Sequence, residues 1–514
     1  MALLRFSATV GGYTLISRIL GYVRDILIAN ILGAGAIADA FFVAFKIPNL
    51  LRRLFAEGAF NLAFVPLFAG KLEGEGREKA MLFAEQAFAM LFYSLLVLVA
   101  LAEATMPWLM YVLAPGFADD PAKFELAIAL TRISFPYILF ISLVSLLGGI
   151  LNSMHRFAAA AAAPILLNIC LIAALIGLAR TTETPGHALA IGVSGAGVIQ
   201  LAFLYGVCRR AGISIRLRLP RLSPEVKRLF VLMAPVAIGA GVAQIGVLID
   251  MIFASHIEGA VSFLYYADRV NQLPLGVIGV AIGTALLPMM TRELKAGGDG
   301  LANQNRAMEA ALLFALPAAV ALMVIAEPLM VVLFERGAFD ARASAMSANA
   351  LIAYAGGLPA FVLIKVLVPA FFAREEPKVP VRIAILCVIA NVGLNGILIW
   401  PLGHVGVALA TSLSGWLNVA LLLKALGRRG YYRPDARLKR RIPRMILAAA
   451  VMAGLVWLLI WAFGDVFHAT LPVRVGALTG LVVSGLIAYA ALGRLVGAAR
   501  LGELRALFRK ESGT

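Results

Sequence analysis

The sequence predicts an all-α integral membrane protein of about fourteen transmembrane helices, and three observations lead there. Hydrophobic residues make up 62% of the 514 positions and charged ones only 14%, where soluble domains run near 25% charged. Mean hydropathy is +0.93. Apolar stretches of about 20 residues recur along the whole chain, each long enough to cross roughly 30 Å of hydrocarbon. No stretch alternates apolar and polar residues as a barrel strand would.

The expected spans are 8–30, 36–57, 80–104, 126–151, 157–179, 187–208, 229–254, 261–290, 307–333, 346–373, 380–400, 404–426, 442–463 and 472–493. The first span opens like a signal peptide, with one early Arg before an apolar run. It lacks a small-residue cleavage site and continues into Arg18 and Arg24, so it reads as a retained helix. Cys170, Cys208 and Cys387 lie far apart in or beside apolar segments, which fits free buried thiols rather than a disulfide framework.

The formal net charge of +17 raises the question of nucleic acid, and its distribution answers it. With the N-terminus inside, 32 Lys and Arg fall in cytoplasmic segments and 5 on the other side: Lys123, Arg180, Arg336, Arg342 and Arg474. That bias is the positive-inside rule, and it puts both termini in the cytoplasm. Topology and anionic headgroups account for the basic clusters; nucleic acid is not needed.

Two halves are legible. Pro136 recurs as Pro359 and Asn168 as Asn391, each at an offset of 223. Ser194-Gly195 recurs as Ser414-Gly415, and the basic pair Arg209-Arg210 as Arg428-Arg429. The reading is two pseudo-symmetric six-helix repeats, 1–220 and 221–430, followed by two extra helices and a tail, 431–514. Transporters built from such repeats hold substrate between the halves near mid-membrane.

Eight cations remain inside the expected spans. An Arg at the bilayer centre costs about 2.5–3.5 kcal/mol on insertion scales, so these side chains must meet water, partners or an anionic ligand. For Arg53, Arg132 and Lys365, snorkelling or internal pairing is explanation enough. Arg24 sits too deep for that. Arg18 and Asp25, seven residues apart, share a helical face. In the second span Arg52 falls nearer the Asn49 face, beyond a kink expected at Pro48. The eighth span adds Asp268, Arg269 and Asn271. A guanidinium fork binds two phosphate oxygens at once, so Arg24, Arg52 and Arg269 point to a phosphorylated anion.

The run SRILGYVRDILIAN, with GAGAIADAFFVAFKIPNLLRRLFAEGAFNLAFVPLF and the later YYADRVNQLPLGVIGVAIGTALLP, resembles the MurJ/MviN family of lipid II flippases. The resemblance covers essentially the whole chain, within the multidrug/oligosaccharidyl-lipid/polysaccharide exporter superfamily. It implies translocation of lipid II across a bacterial inner membrane by alternating access, without catalysis. It further implies that Arg18, Arg24, Asp39, Arg52 and Arg269 are the functional charges and that Asp25 orients Arg24. A hydrophobic groove at the last two helices would take the polyprenyl tail. One departure is visible: family members often carry an acid where this chain has Gln272.

The drive is legible only in part. Asp250 is a lone intramembrane carboxylate; Asn391 and Asn395, four apart, share a face; Thr411 and the Val407 carbonyl lie in the next span. Hard cations prefer such oxygen ligands, and some members of the resembled family hold sodium in the corresponding region. The competing reading is interhelical hydrogen bonding. No cofactor is expected.

The rival functions fit less well. No GK[ST] phosphate loop exists, so ATP is not a direct fuel. The glycines of GAGA (33–36) and GVSGAG (192–197) suit a tight turn and close helix packing, not a dinucleotide. A drug exporter would prefer an acidic chamber, and an enzyme of polyprenyl phosphates would need a clustered acid or metal-binding loop. An exporter of another polyprenyl-pyrophosphate-linked glycan is the nearest alternative.

Overall fold

The computed structural model describes residues 2–52 and 60–498. Arg53 and the end of the expected 36–57 span lie outside them. Eighteen α-helices are described, with no strand among the described residues and a single isolated bridge between Arg336 and Phe339. The chain forms two compact units, Met1–Ser262 with Arg336–Phe339, and Phe263–Glu335 with Asp340–Thr514.

The first unit contains α1 (Ala2–Leu32), α2 (Ala36–Leu51), α3 (Phe60–Gly74), α4 (Arg77–Ala104), α5 (Met106–Leu113), α6 (Pro121–Ser134), α7 (Tyr137–Ser153), α8 (Phe157–Leu178), α9 (Pro185–Arg210) and α10 (Pro224–Ala254). Its centre is α7, largely apolar and buried over almost its whole length, as a helix enclosed by others must be. Around it pack α3, α4, α8 and α9, while α1 lies on α8 and α2 on α6. Leu95 and Val99 of α4 close on Ile138 and Leu143 of α7 to form one core. The expected 126–151 span is divided between α6 and α7, because Pro136 supplies no N–H at the junction. The 5-residue offset from 126 to Pro121 is a capping effect: Asp120 accepts from the Ala122 and Lys123 amides and starts α6 early.

The second unit contains α11 (Ala260–Lys295, whose first three residues belong to the first unit), α12 (Leu301–Val324), α13 (Ala326–Phe334), α14 (Ala341–Phe372), α15 (Lys378–Leu402), α16 (His404–Arg428), α17 (Ala436–Phe463) and α18 (Leu471–Leu495). Here α14 takes the enclosed position, packing on α12, α13 and α16. Leu312, Leu363, Val366, Phe371 and Leu422 form its core. The helices α17 and α18 pair with each other, and α17 rests on α12.

Ten helical stretches are long and apolar enough to cross a membrane, among the described residues. The four expected spans outside that set correspond to α1, α2, α10 and α11. Two short helices were expected as loop. One is α3, within residues 58–79; the other is α5, within 105–125.

The glycine-rich runs do what tight packing requires. Gly33 ends α1 at φ +68, donating to the Ala29 carbonyl, and a Cβ there would sit 2.3 Å from the Ala338 oxygen. Gly192 of α9 leaves no room for a methyl group beside Ala174 of α8, where a Cβ would come within 2.8 Å. All three cysteines are free thiols.

Candidate functional site

Arg24 and Asp25 are consecutive on α1, so their side chains leave the helix about 100° apart. Only the long guanidinium can turn back. Its Nε and Nη2 both donate to Asp25 Oδ1, at 3.0 and 2.7 Å, and its Nη1 donates to Asn168 Oδ1 of α8 at 2.9 Å. Asn168 in turn donates from Nδ2 to the Ser17 carbonyl at 2.9 Å. Arg24 is 4% exposed and Asp25 2%. Three of the five guanidinium donors are thus engaged, and two N–H groups remain for a ligand. Asn168 carried a sequence signal, its recurrence as Asn391, but nothing in the sequence linked it to Arg24. Arg18, two turns earlier on α1, is exposed and has no ion-pair partner among the described residues.

Arg52 stands just past the end of α2, where its own backbone N–H reaches the Asn49 and Pro48 carbonyls. Its Nε and Nη2 donate to Asn49 Oδ1 at 3.0 and 2.8 Å, on the helical face the sequence assigned it. It lines a cavity of about 200 Å³ in the first unit with Asn61, Ser145, Asn152 and Gln200. Gln200 is buried and donates to the Ala163 carbonyl at 2.6 Å. No sequence pattern pointed to this polar lining.

Asp39 lies on α2 with no exposed surface. Its oxygens accept from Lys123 Nζ at 2.7 Å, the Gly259 amide at 3.0 Å, the Ser262 amide at 2.9 Å and the Ser262 hydroxyl at 2.6 Å. Lys123 also stands 4.1 Å over the Phe117 ring. A lysine counted as a loop cation is therefore a buried partner.

In the second unit, Arg269 of α11 is half-buried. Its Nε and Nη2 contact the Tyr265 hydroxyl at 3.2 and 3.1 Å, and the ring lies 5.2 Å away. Gln272 donates to Asp268 one turn earlier, so the position that departs from the family pattern is hydrogen-bonded along its own helix.

Between α11, α12, α17 and α18 lies an apolar cavity of about 690 Å³. Leu273, Phe314, Ala321, Val456 and Leu486 are among its walls, and Arg494 stands at its edge. A groove of this size and character, flanked by the last two helices, suits a long hydrocarbon chain.

Four of the five residues read as a cation site are hydrogen-bonded to one another in pairs. Asn395 donates to Asn391 Oδ1 within α15, and Thr411 donates to the Val407 carbonyl at 3.1 Å within α16. Asp250 belongs to the first unit, near the end of α10. No group of three or more His, Cys, Asp or Glu side chains able to hold a metal occurs among the described residues.

Known proteins resemble this chain over most of its length. The family model described as lipid II flippase MurJ matches residues 28–474. A probable lipid II flippase MurJ of Rhizobium meliloti (strain 1021) is 46% identical over 513 residues, covering 98% of this chain and 96% of the relative. One from Vibrio cholerae is 38% identical, covering 98% of each. A solved structure described as lipid II flippase MurJ in an inward closed conformation superposes with a TM-score of 0.80 at 25% identity, covering 98% of this chain and all of that one.

Proposed function

The chain belongs to the MurJ family of lipid II flippases, and from that premise we infer that it carries lipid II from the cytoplasmic to the periplasmic leaflet of a bacterial inner membrane. It is a multi-pass membrane transporter, not an enzyme. Both termini face the cytoplasm in this reading, supported by the 32-to-5 distribution of Lys and Arg.

The observation that carries the mechanism is the double tether of Arg24. Asp25 and Asn168 hold its guanidinium in one plane, and a pre-set fork loses little freedom when it meets a phosphate. Arg24, Arg52 and Arg269 bind the pyrophosphate, while Arg18 contributes charge on approach. Since Arg24 is almost wholly buried here, substrate reaches it only after a conformational change, as alternating access demands. The polyprenyl tail stays in apolar surroundings throughout, and the cavity beside α17 and α18 is shaped for it. A basic set of this kind selects against cationic drugs.

Neither ATP nor a cofactor takes part. The membrane potential supplies the drive, with sodium a weaker candidate. The test is a depletion strain in which this chain is the sole flippase, with a sidedness assay for lipid II. Wild type restores outward lipid II; Arg24→Ala at normal protein level does not. Normal export by that variant would sink the reading.

A further inference from the structure

At one end of α15 and α16 the second unit carries a notch of about 280 Å³. Its lining combines the apolar Ile383 and Leu421 with Arg382, Lys424, Arg428 and Arg429. Arg429 is answered within the protein, its Nε 2.9 Å from Glu376 Oε2. The other three are exposed and make no ion pair or hydrogen bond with any described residue. Lys424 and Arg428, four apart, stack on one face of α16, and Arg382 enters from α15. Three unanswered cations around one small concavity repel one another. An excess of basic loop residues satisfies the positive-inside rule anywhere on that side; it does not require them to converge.

The same two helices carry exposed apolar side chains further along. Leu386 and Ile389, four and seven residues beyond Arg382, are 55% and 63% exposed. On α16, Leu417 and Leu413 precede Lys424 by seven and eleven residues and are 37% and 41% exposed. In a membrane-spanning chain such a strip meets acyl chains. Cationic notch and apolar strip are thus continuous along one pair of helices.

We propose that this notch is a binding site for an anionic glycerophospholipid, with its phosphate among Arg382, Lys424 and Arg428 and its acyl chains along Leu386, Ile389, Leu413 and Leu417. The orientation inferred above puts the notch in the cytoplasmic leaflet. A soluble phosphate would use the cations and leave the strip unused. A zwitterionic lipid would use the strip and leave the net charge unanswered. None of Arg24, Arg52 and Arg269 lines this notch.

Native mass spectrometry of the full chain in mild detergent tests this, after equilibration with equimolar phosphatidylglycerol and phosphatidylethanolamine. The expected result is preferential retention of phosphatidylglycerol, weakened roughly fivefold per cation removed and abolished in the Arg382→Gln, Lys424→Gln, Arg428→Gln triple variant. All three side chains are exposed, so the variant should fold; an unchanged melting temperature checks it. An Arg209→Gln, Arg210→Gln control should retain the lipid as wild type does. Millimolar inorganic phosphate should not displace it. Equal retention of both lipids, wild-type retention by the triple variant, or displacement by phosphate would each overturn the site. Displacement by undecaprenyl diphosphate at lower concentration than by phosphatidylglycerol would assign the notch to the transported lipid and overturn it as well. Lipid retention requires no transport, so failure here leaves the flippase reading untouched.

Discussion

Lys123 Nζ lies 2.7 Å from Asp39 Oδ2, joining the first turn of α6 to the first turn of α2 across 84 residues of sequence. Both side chains are buried, at 7% and 0% exposure. Removing one member strands the other's charge out of water, which costs about 3–5 kcal/mol. The carboxylate also holds the turn before α11 through Gly259 and Ser262. Asp39→Ala and Lys123→Ala should therefore each lower the melting temperature of purified protein sharply. The double variant should lose less than the two single losses combined. Wild-type melting by either single variant would show that the pair holds nothing.

Arg24 gives the second expectation. Arg24→Ala should abolish complementation in the depletion strain, and Arg24→Lys should complement poorly, because one ammonium cannot span Asp25 and Asn168 as a fork does. Asn168→Ala should also impair export while Asp25 still neutralises the charge, since only the orientation of Nη1 is lost. Full growth by Asn168→Ala, at normal protein level, would mean that the tether is dispensable.

Glu309 ties α12 to the start of α17. Its oxygens accept from Arg437 Nε and Nη2, both at 3.0 Å, and also from Arg306 and Arg441. Asp435 caps α17 through the Leu438 amide at 2.6 Å. Glu309→Ala should destabilise the protein by about 2–4 kcal/mol, toward the low end because Arg306 and Arg437 are 36% and 40% exposed and can turn to water. Thermal unfolding measures the loss, and limited proteolysis near residues 429–435 should quicken. Unchanged values for both would remove the clamp from the account of how α17 is held.

Much of this was legible in the sequence, for a physical reason in each case. Hydropathy over about 20 residues marks a membrane helix whatever its neighbours do, and so α8, α9, α15 and α16 stand where the apolar stretches put them. The Arg52–Asn49 contact spans three residues on one helix, a distance sequence spacing encodes. What escaped was tertiary. Lys123 looks like an ordinary first-turn lysine until Asp39, Gly259 and Ser262 are brought around it. Asn168 was visible as a repeated residue, yet its bond to Arg24 crosses 144 positions. The helix α3 escaped because Pro66 and Gly70 in its sequence resemble a turn; packing on α7 and α4 overrides that preference.

The drive of the cycle is the last expectation. In α15 the Asn391 oxygen already accepts from Asn395, and in α16 the Val407 carbonyl accepts from Thr411. A sodium ion seeking these oxygens must share them with existing hydrogen bonds. Position 395 supplies an amide, so Asp250 is the lone carboxylate among the five candidate residues. A monovalent cation held by one charge and several dipoles binds weakly against its own hydration. The membrane potential faces no such cost. Each charge crossing 100 mV gains about 2.3 kcal/mol, so a substrate carrying about two negative charges is driven outward from a negative interior by roughly 4–5 kcal/mol at that voltage. The emptied set of arginines is drawn back inward by the same field. Collapsing the potential in vesicles while holding the sodium gradient should therefore stop export, and removing sodium at constant potential should leave most of it. Asp250→Asn should then export at close to the wild-type rate. Export that survives without a potential, but fails without sodium or in Asp250→Asn, would assign the drive to sodium instead.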